Sequence, residues 1–149
     1  MGGEPVSAAR GEHACRILVA EDSRSDVYLL REALRKYSVD HHLYVAPNGA
    51  IARDLIDDAK SGALTVDLFV LDLGLPRVRG GDLLRQIRAD PRLAQKPVVI
   101  LTPSSSAVDR AEMLGWGATH FVTKPFDVEA YLDLGAVFRD LCTCREPRG

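Results

Sequence analysis

Four charged side chains and one threonine stand where short apolar runs end. Glu21 and Asp22 follow the run 16–20, Asp72 follows 68–71, Thr102 follows 97–101 and Lys124 follows 119–122. An ionised carboxylate at the end of a buried strand loses its hydration, which is costly unless a partner compensates. Three carboxylates brought together repel and raise one another's pKa unless a cation sits among them. Hard oxygen ligands with waters completing an octahedron suit Mg²⁺. Lys124 would supply a second, mobile positive charge and Thr102 a hydroxyl. Together these are the parts of an electrostatic cradle in which Asp72 attacks a phosphoryl group in line while metal and ammonium neutralise its equatorial oxygens.

The cradle exists only if the strand ends meet, so the elements that carry them decide the matter. The runs 16–20, 42–46, 66–71, 97–101 and 119–122 are short, apolar and bounded by turn residues, the pattern of strands buried on both faces. Between them lie helical periodicities. Val27, Leu30, Leu34 and Tyr37 follow the capping residues Ser23 and Ser25, and Ile51, Leu55 and Ile56 follow Asn48-Gly49. Leu83, Leu84 and Ile87 precede the stop at Asp90-Pro91. Ala111 and Leu114 precede Gly115 and Gly117, and one last helix is expected from Asp127 through Phe138. Strict βα alternation implies a parallel sheet covered on both faces. Right-handed crossovers then favour an α/β, flavodoxin-like fold with a five-stranded parallel sheet in the order 2-1-3-4-5. All carboxyl ends lie on one edge of such a sheet, where ligands bind.

Bulk properties bound the rest. The chain has 149 residues, 46% hydrophobic and 27% charged, which is ordinary globular composition. We read residues 1–13 as a flexible tail, 14–142 as one domain and 143–149 as a C-terminal tail. A net charge of −2, with no long basic patch, gives no case for nucleic acid. No apolar stretch is long enough for a membrane span, and the first residues lack the apolar core of a signal peptide, so a cytoplasmic chain is expected. Cys15, Cys142 and Cys144 are too few for a disulfide framework, and the last two read as stray thiols rather than metal ligands.

Each site residue also has a bland reading. Glu21 or Asp22 alone could cap the next helix, Thr102 could merely end a strand, and a lone lysine is usually a solvated charge. Single matches of this kind are weak. Their joint placement, at the ends of four different strands in a five-unit alternation, is hard to obtain by chance.

With those residues in view, the chain resembles the receiver domain of two-component response regulators, the CheY-like kind, from about residue 16 to residue 141. The resemblance rests on the acidic pair in LVAEDS, Asp72 in FVLDLGLP, Thr102 in VVILTPSS and Lys124 in FVTKPF. It implies that Asp72 accepts a phosphoryl group from a phosphohistidine on a sensor histidine kinase. It also implies that Asp22, Asp72 and the backbone carbonyl of Gly74 bind Mg²⁺, with Glu21 acting through a water. Thr102 and Lys124 would contact the phosphoryl oxygens, Phe121 would occupy the aromatic switch position, and the Lys124-Pro125 bond would be cis. Within the family, the opening EDS..DVYLLREAL and the run DLGLP…RADPRLAQKPVVILT look most similar to single-domain regulators paired with phytochrome-type kinases.

Departures from the pattern carry expectations of their own. Pro103 stands where the family has a small residue whose N–H helps hold the phosphoryl group; proline has none, so one donor is missing. Phe121 replaces a tyrosine, keeping the ring without the hydroxyl, and a plain core phenylalanine is an equal reading. Arg79 replaces an acidic residue before Gly80 and reads as a solvated loop charge. The function expected is a phosphorylation-controlled switch with no fused output domain. It would act through a downstream protein target, a phosphorelay protein or a homodimer, and its catalysis would be limited to self-phosphorylation and slow autodephosphorylation. A Mg²⁺-dependent phosphatase is the rival from another class, but its second acid would fall at Gly74, which has no side chain to protonate a leaving group. A third reading, a receiver-like module that is never phosphorylated, normally requires loss of an acidic, acceptor or lysine position, and none is lost.

Overall fold

The computed structural model describes residues 14–143; the expected N-terminal tail, most of the expected C-terminal tail and Cys144 lie outside them. Five strands, β1 (Cys15–Ala20), β2 (His41–Ala46), β3 (Leu68–Leu71), β4 (Val98–Thr102) and β5 (His120–Thr123), form one parallel sheet in the order β2-β1-β3-β4-β5. Among the described residues, six helices accompany them: α1 (Arg24–Lys36), α2 (Gly49–Ser61), α3 (Gly80–Ala89), α4 (Ala107–Gly115), α5 (Val128–Asp133) and α6 (Gly135–Thr143). The expected fold and strand order are those observed, with strand ends shifted by one or two residues.

Side-chain alternation along the central strands feeds two cores. Leu18, Ala20, Phe69, Leu71, Val98 and Ile100 face one side, where Ile56 of α2, Leu83, Leu84 and Ile87 of α3 and Met113 of α4 cover them. Ile17, Val19, Leu68, Val70, Val99 and Leu101 face the other, under Leu30 and Leu34 of α1, Tyr131 of α5 and Phe138 of α6. Both faces of a parallel sheet are thereby dry, which is why these strands read as unbroken apolar runs. Each fully buried leucine contributes about 1.5–3 kcal/mol.

Caps fix where the helices begin, and so how strand ends are presented. Ser23, Asn48, Ser106 and Asp127 each accept a hydrogen bond from a backbone N–H of the first turn of α1, α2, α4 and α5. The single last helix expected from sequence is two, broken at Leu134. Gly135 opens α6 where a Cβ would collide with the Ala33 carbonyl and the Tyr37 ring, so the break brings α6 close against α1.

A second correction concerns the cysteines. Cys15, at the start of β1, and Cys142, in α6, form a disulfide with Cα atoms 5.7 Å apart, rather than standing as separate thiols. Their separation of 127 residues hides the pairing in sequence; it arises because α6 returns beside the amino end of β1.

Candidate functional site

The described residues bury four polar or charged groups, and three of them, Glu21, Asp72 and Thr102, stand at the carboxyl edge of the sheet. The fourth, Asp67, lies at the opposite end and accepts the N–H of Arg16 at 2.9 Å. Strand pairing produces the clustering directly. Ala20 is in register with Leu71, and Thr102 with Thr123, so the residues that follow Ala20, Leu71 and Thr123 are brought to one edge.

Glu21, Asp22 and Asp72 each offer a carboxylate oxygen, and these atoms lie within 4.8 Å of one another. Asp22 is exposed while the other two are buried. Lys124 reaches in from the end of β5 and donates to Glu21 Oε1 at 2.7 Å, to Asp72 Oδ2 at 3.2 Å and to Asp26 Oδ2 at 2.6 Å. The second Asp72 oxygen accepts the Gly74 N–H at 3.1 Å, and the second Glu21 oxygen accepts the Ser23 N–H at 3.1 Å. All five strand-end residues expected from sequence therefore belong to one edge. Asp26, which was not among the expected site residues, joins them. Its spacing of three from the cap Ser23 marks only a first-turn acid, and nothing local points to Lys124.

Electrostatics follow from this geometry. Burial pushes the Glu21 carboxyl up from 4.5 to about 7, with the Lys124 ammonium pulling it back down and the nearby Asp72 charge adding to the rise. Burial would lower the Lys124 pKa, but its bonds to Asp26 and Glu21 and the Asp72 charge outweigh that, and it ends above its ordinary value. A buried acid with a raised pKa beside two more carboxylates is a site short of positive charge. Its all-oxygen donor set fits a hard divalent cation. Glu21, Asp22 and Asp72 are the side chains that could hold one.

The loops around the cradle are equally specific. Gly80, at the start of α3, packs so closely on the Asp72 backbone carbonyl that a Cβ there would overlap it. A larger residue would push α3 off the end of β3. Thr102 Oγ1 accepts the Ser104 N–H at 3.3 Å, and Ser104 Oγ donates to Asp109 Oδ2 at 2.7 Å. Thr123 Oγ1 donates to the Ser104 carbonyl at 2.8 Å, so the segment after β4 is tied to both α4 and β5. Pro103 lies within it and lines the same open groove, of about 710 Å³, together with Arg79, Asp82, Met113 and Trp116. Arg79 is exposed, as expected of a loop charge. Phe121 is buried in the core, with the Arg110 guanidinium 6.0 Å from its ring centre and donating to its carbonyl at 3.0 Å.

The expected cis bond is absent. No cis peptide occurs among the described residues, so Lys124-Pro125 is trans. An X–Pro amide still favours trans by about 0.5–1 kcal/mol. In that form the Lys124 N–H meets the Thr102 carbonyl at 2.7 Å while its Nζ reaches the carboxylates.

Comparison with known proteins agrees with the geometry. Residues 17–134 match the family model of the response regulator receiver domain. The transcriptional regulatory protein CpxR of Escherichia coli (strain K12) is 34% identical over 125 residues, covering 83% of this chain and 49% of that protein. Response regulator Rcp1 of Synechocystis sp. is 34% identical over 95 residues, 62% of this chain and 65% of that one. The chain thus spans about half the length of CpxR. Among solved structures, the Mn(2+)-bound form of Rcp1 superposes with a TM-score of 0.76 at 26% identity, covering 85% of this chain and 92% of that one. The phosphorylated cyanobacterial phytochrome response regulator RcpA gives 0.79 at 26% identity, covering 88% and 95%. No helix among the described residues is long and apolar enough to cross a membrane.

Proposed function

The chain belongs to the response regulator receiver family, and from that premise we propose that Asp72 is its phosphoryl acceptor, charged by a sensor histidine kinase. Receiver domains are signalling switches rather than enzymes in the ordinary sense. The observation that carries the assignment is the placement of Asp72: buried, at the end of a central strand, with one oxygen on the Gly74 N–H and the other on Lys124. In the transfer, an Asp72 oxygen bonds to phosphorus as the P–N bond to the kinase histidine breaks, and the leaving imidazole keeps its electron pair and takes up a proton. Lys124 exchanges its contact with Asp72 Oδ2 for a phosphoryl oxygen, and the Thr102 hydroxyl turns from Ser104 toward another.

Glu21, Asp22 and Asp72, with the Gly74 carbonyl, would hold Mg²⁺, which when bound neutralises charge on the phosphoryl oxygens. The manganese in the Rcp1 structure supports a divalent cation in a relative at 26% identity. Phosphorylation adds negative charge beside Thr102, and we assign the response to the Thr102 loop and Phe121, with α4 and α5 as the surface that changes. Slow autodephosphorylation would reset the switch. Its kinase is of the phytochrome type by likeness to RcpA, and its output passes to a downstream target protein, a phosphorelay protein or a second copy. Residues 14–142 are proposed to form the receiver domain, in a cytoplasmic protein.

Beryllium fluoride with Mg²⁺, a mimic of an acyl phosphate, tests the reading. Backbone amide resonances of residues 102–106 and 120–123 should shift in the native protein and stay in place in Asp72→Asn. Resonances of the native protein that ignore the mimic would refute it.

A further inference from the structure

Lys124 has three N–H donors, and all three are in use. Two are short, to Asp26 at 2.6 Å and Glu21 at 2.7 Å; the long one, at 3.2 Å, goes to Asp72. Asp26 is outside the carboxylate cluster fit for a cation, and its ion-pair partner is Lys124. The lysine is nearly enclosed, its side chain 11% exposed.

The ordinary role for an acid in this position is a capping box, in which the residue three after the helix cap returns its carboxylate to the cap's own N–H. That role is already filled. The Ser23 N–H donates to Glu21 Oε2 at 3.1 Å, which leaves the Asp26 carboxylate free of it. The Asp26 backbone is held on both sides: its N–H donates to Ser23 Oγ at 3.2 Å and its carbonyl accepts the buried Tyr131 hydroxyl at 3.3 Å. A pinned backbone with a short ion pair makes a fixed post for the ammonium.

We propose that Asp26 is a positioning residue for phosphoryl transfer, fixing Lys124 so that its third N–H points at Asp72 and at the phosphoryl oxygen that arrives there. The inference rests on the assignment of Asp72 as acceptor. With acetyl phosphate as donor, the Asp72 O–P bond forms, the P–O bond to acetate breaks, and acetate leaves with the electron pair. Lys124 changes one acceptor and keeps two. Without Asp26 the ammonium holds one fixed bond and swings, and a small misplacement of a catalytic group is costly in rate.

The test compares native protein, Asp26→Asn, Asp26→Glu and Asp72→Asn. Three quantities are read: the rate of adduct formation from acetyl phosphate at saturating Mg²⁺, the Mg²⁺ affinity of the unphosphorylated protein by calorimetry, and the Lys124 ammonium resonance in metal-free protein. Asp26→Asn should slow adduct formation about tenfold, change Mg²⁺ affinity by less than about threefold, and lose the ammonium resonance to solvent exchange. Asp26→Glu, which keeps the charge, should recover most of the rate. An Asp26→Asn protein that phosphorylates at the native rate while Asp72→Asn gives no adduct would overturn the role of Asp26 and leave the acceptor standing. A loss of Mg²⁺ affinity as large as the loss of rate would also overturn it, since Asp26 would then act through the cation. No adduct on the native protein would refute the acceptor assignment itself, and this inference with it.

Discussion

Lys124 and Glu21, 103 positions apart in the chain, meet at 2.7 Å across the carboxyl edge of the sheet, each nearly withdrawn from solvent. Both pay the cost of burial, and each offsets the other's. Removing the lysine would strand Glu21, Asp26 and Asp72 without a countercharge. Breaking a buried pair from one side typically costs about 3–5 kcal/mol. Lys124→Met should therefore lower stability in denaturant titration by about that amount in metal-free protein, and added Mg²⁺ should restore part of it. Equal stability of the two proteins would show that the cluster carries little charge.

Glu21 sets a pH dependence. Its carboxyl is raised from 4.5 to about 7, chiefly by burial. Between those values the folded state keeps a proton that the unfolded state has lost. Stability of the metal-free protein should thus fall as pH rises from about 4.5 to about 7, and this contribution should be constant above. Cation affinity runs the other way, because the ligand must be ionised. Calorimetric titration with Mg²⁺ should give weaker binding at about pH 6 than at about pH 8; an affinity independent of pH would remove Glu21 from the ligand set.

How much of this was legible in the chain varies with the range of the interaction. Strand order, the two apolar faces and the meeting of Glu21, Asp22, Asp72, Thr102 and Lys124 follow from local pattern plus the rule that parallel strands end on one edge. What escaped were contacts set by packing between distant elements. Asp26 looks like a helix-start acid until Lys124 is seen beside it. The Cys15–Cys142 bond needs α6 to return to β1, and the break at Leu134 depends on how near Gly135 comes to Ala33. The trans bond at Lys124-Pro125 was misjudged because likeness to a family does not fix an amide isomer.

Pro103 leaves the loop after Thr102 short of one backbone donor. Restoring it in Pro103→Ala should lengthen the half-life of the phosphoryl adduct by about tenfold, the value of one hydrogen bond to a charged group at the low end of its range, about 1.5 kcal/mol. Decay of the adduct followed by intact mass gives the number directly. Equal half-lives would show that the loop after Thr102 supplies no donor there in either protein.

The Cys15–Cys142 bond closes a loop of nearly the whole described chain. Closing long loops stabilises by about 2–4 kcal/mol. Cys142→Ser, or reduction of the native protein, should lower the denaturation midpoint accordingly while leaving the cradle at the opposite edge of the sheet able to bind Mg²⁺. Thiol counts of the purified protein under denaturing, non-reducing conditions check the premise.

Gly80 ties stability to the site. Because a Cβ would overlap the Asp72 carbonyl, Gly80→Ala must displace the start of α3. Overpacking of this kind costs about 1–3 kcal/mol, and adduct formation at Asp72 should slow as well. A variant with native stability and native phosphorylation would mean that the α3 start yields without strain.

The most direct test of the central claim is the intact mass of the protein after incubation with acetyl phosphate, with and without Mg²⁺, for the native chain and for Asp72→Asn. A single phosphoryl adduct that requires both Mg²⁺ and Asp72 is the result expected. A folded native protein that takes up no phosphoryl group, or one that takes it up equally well without Asp72, would contradict the account.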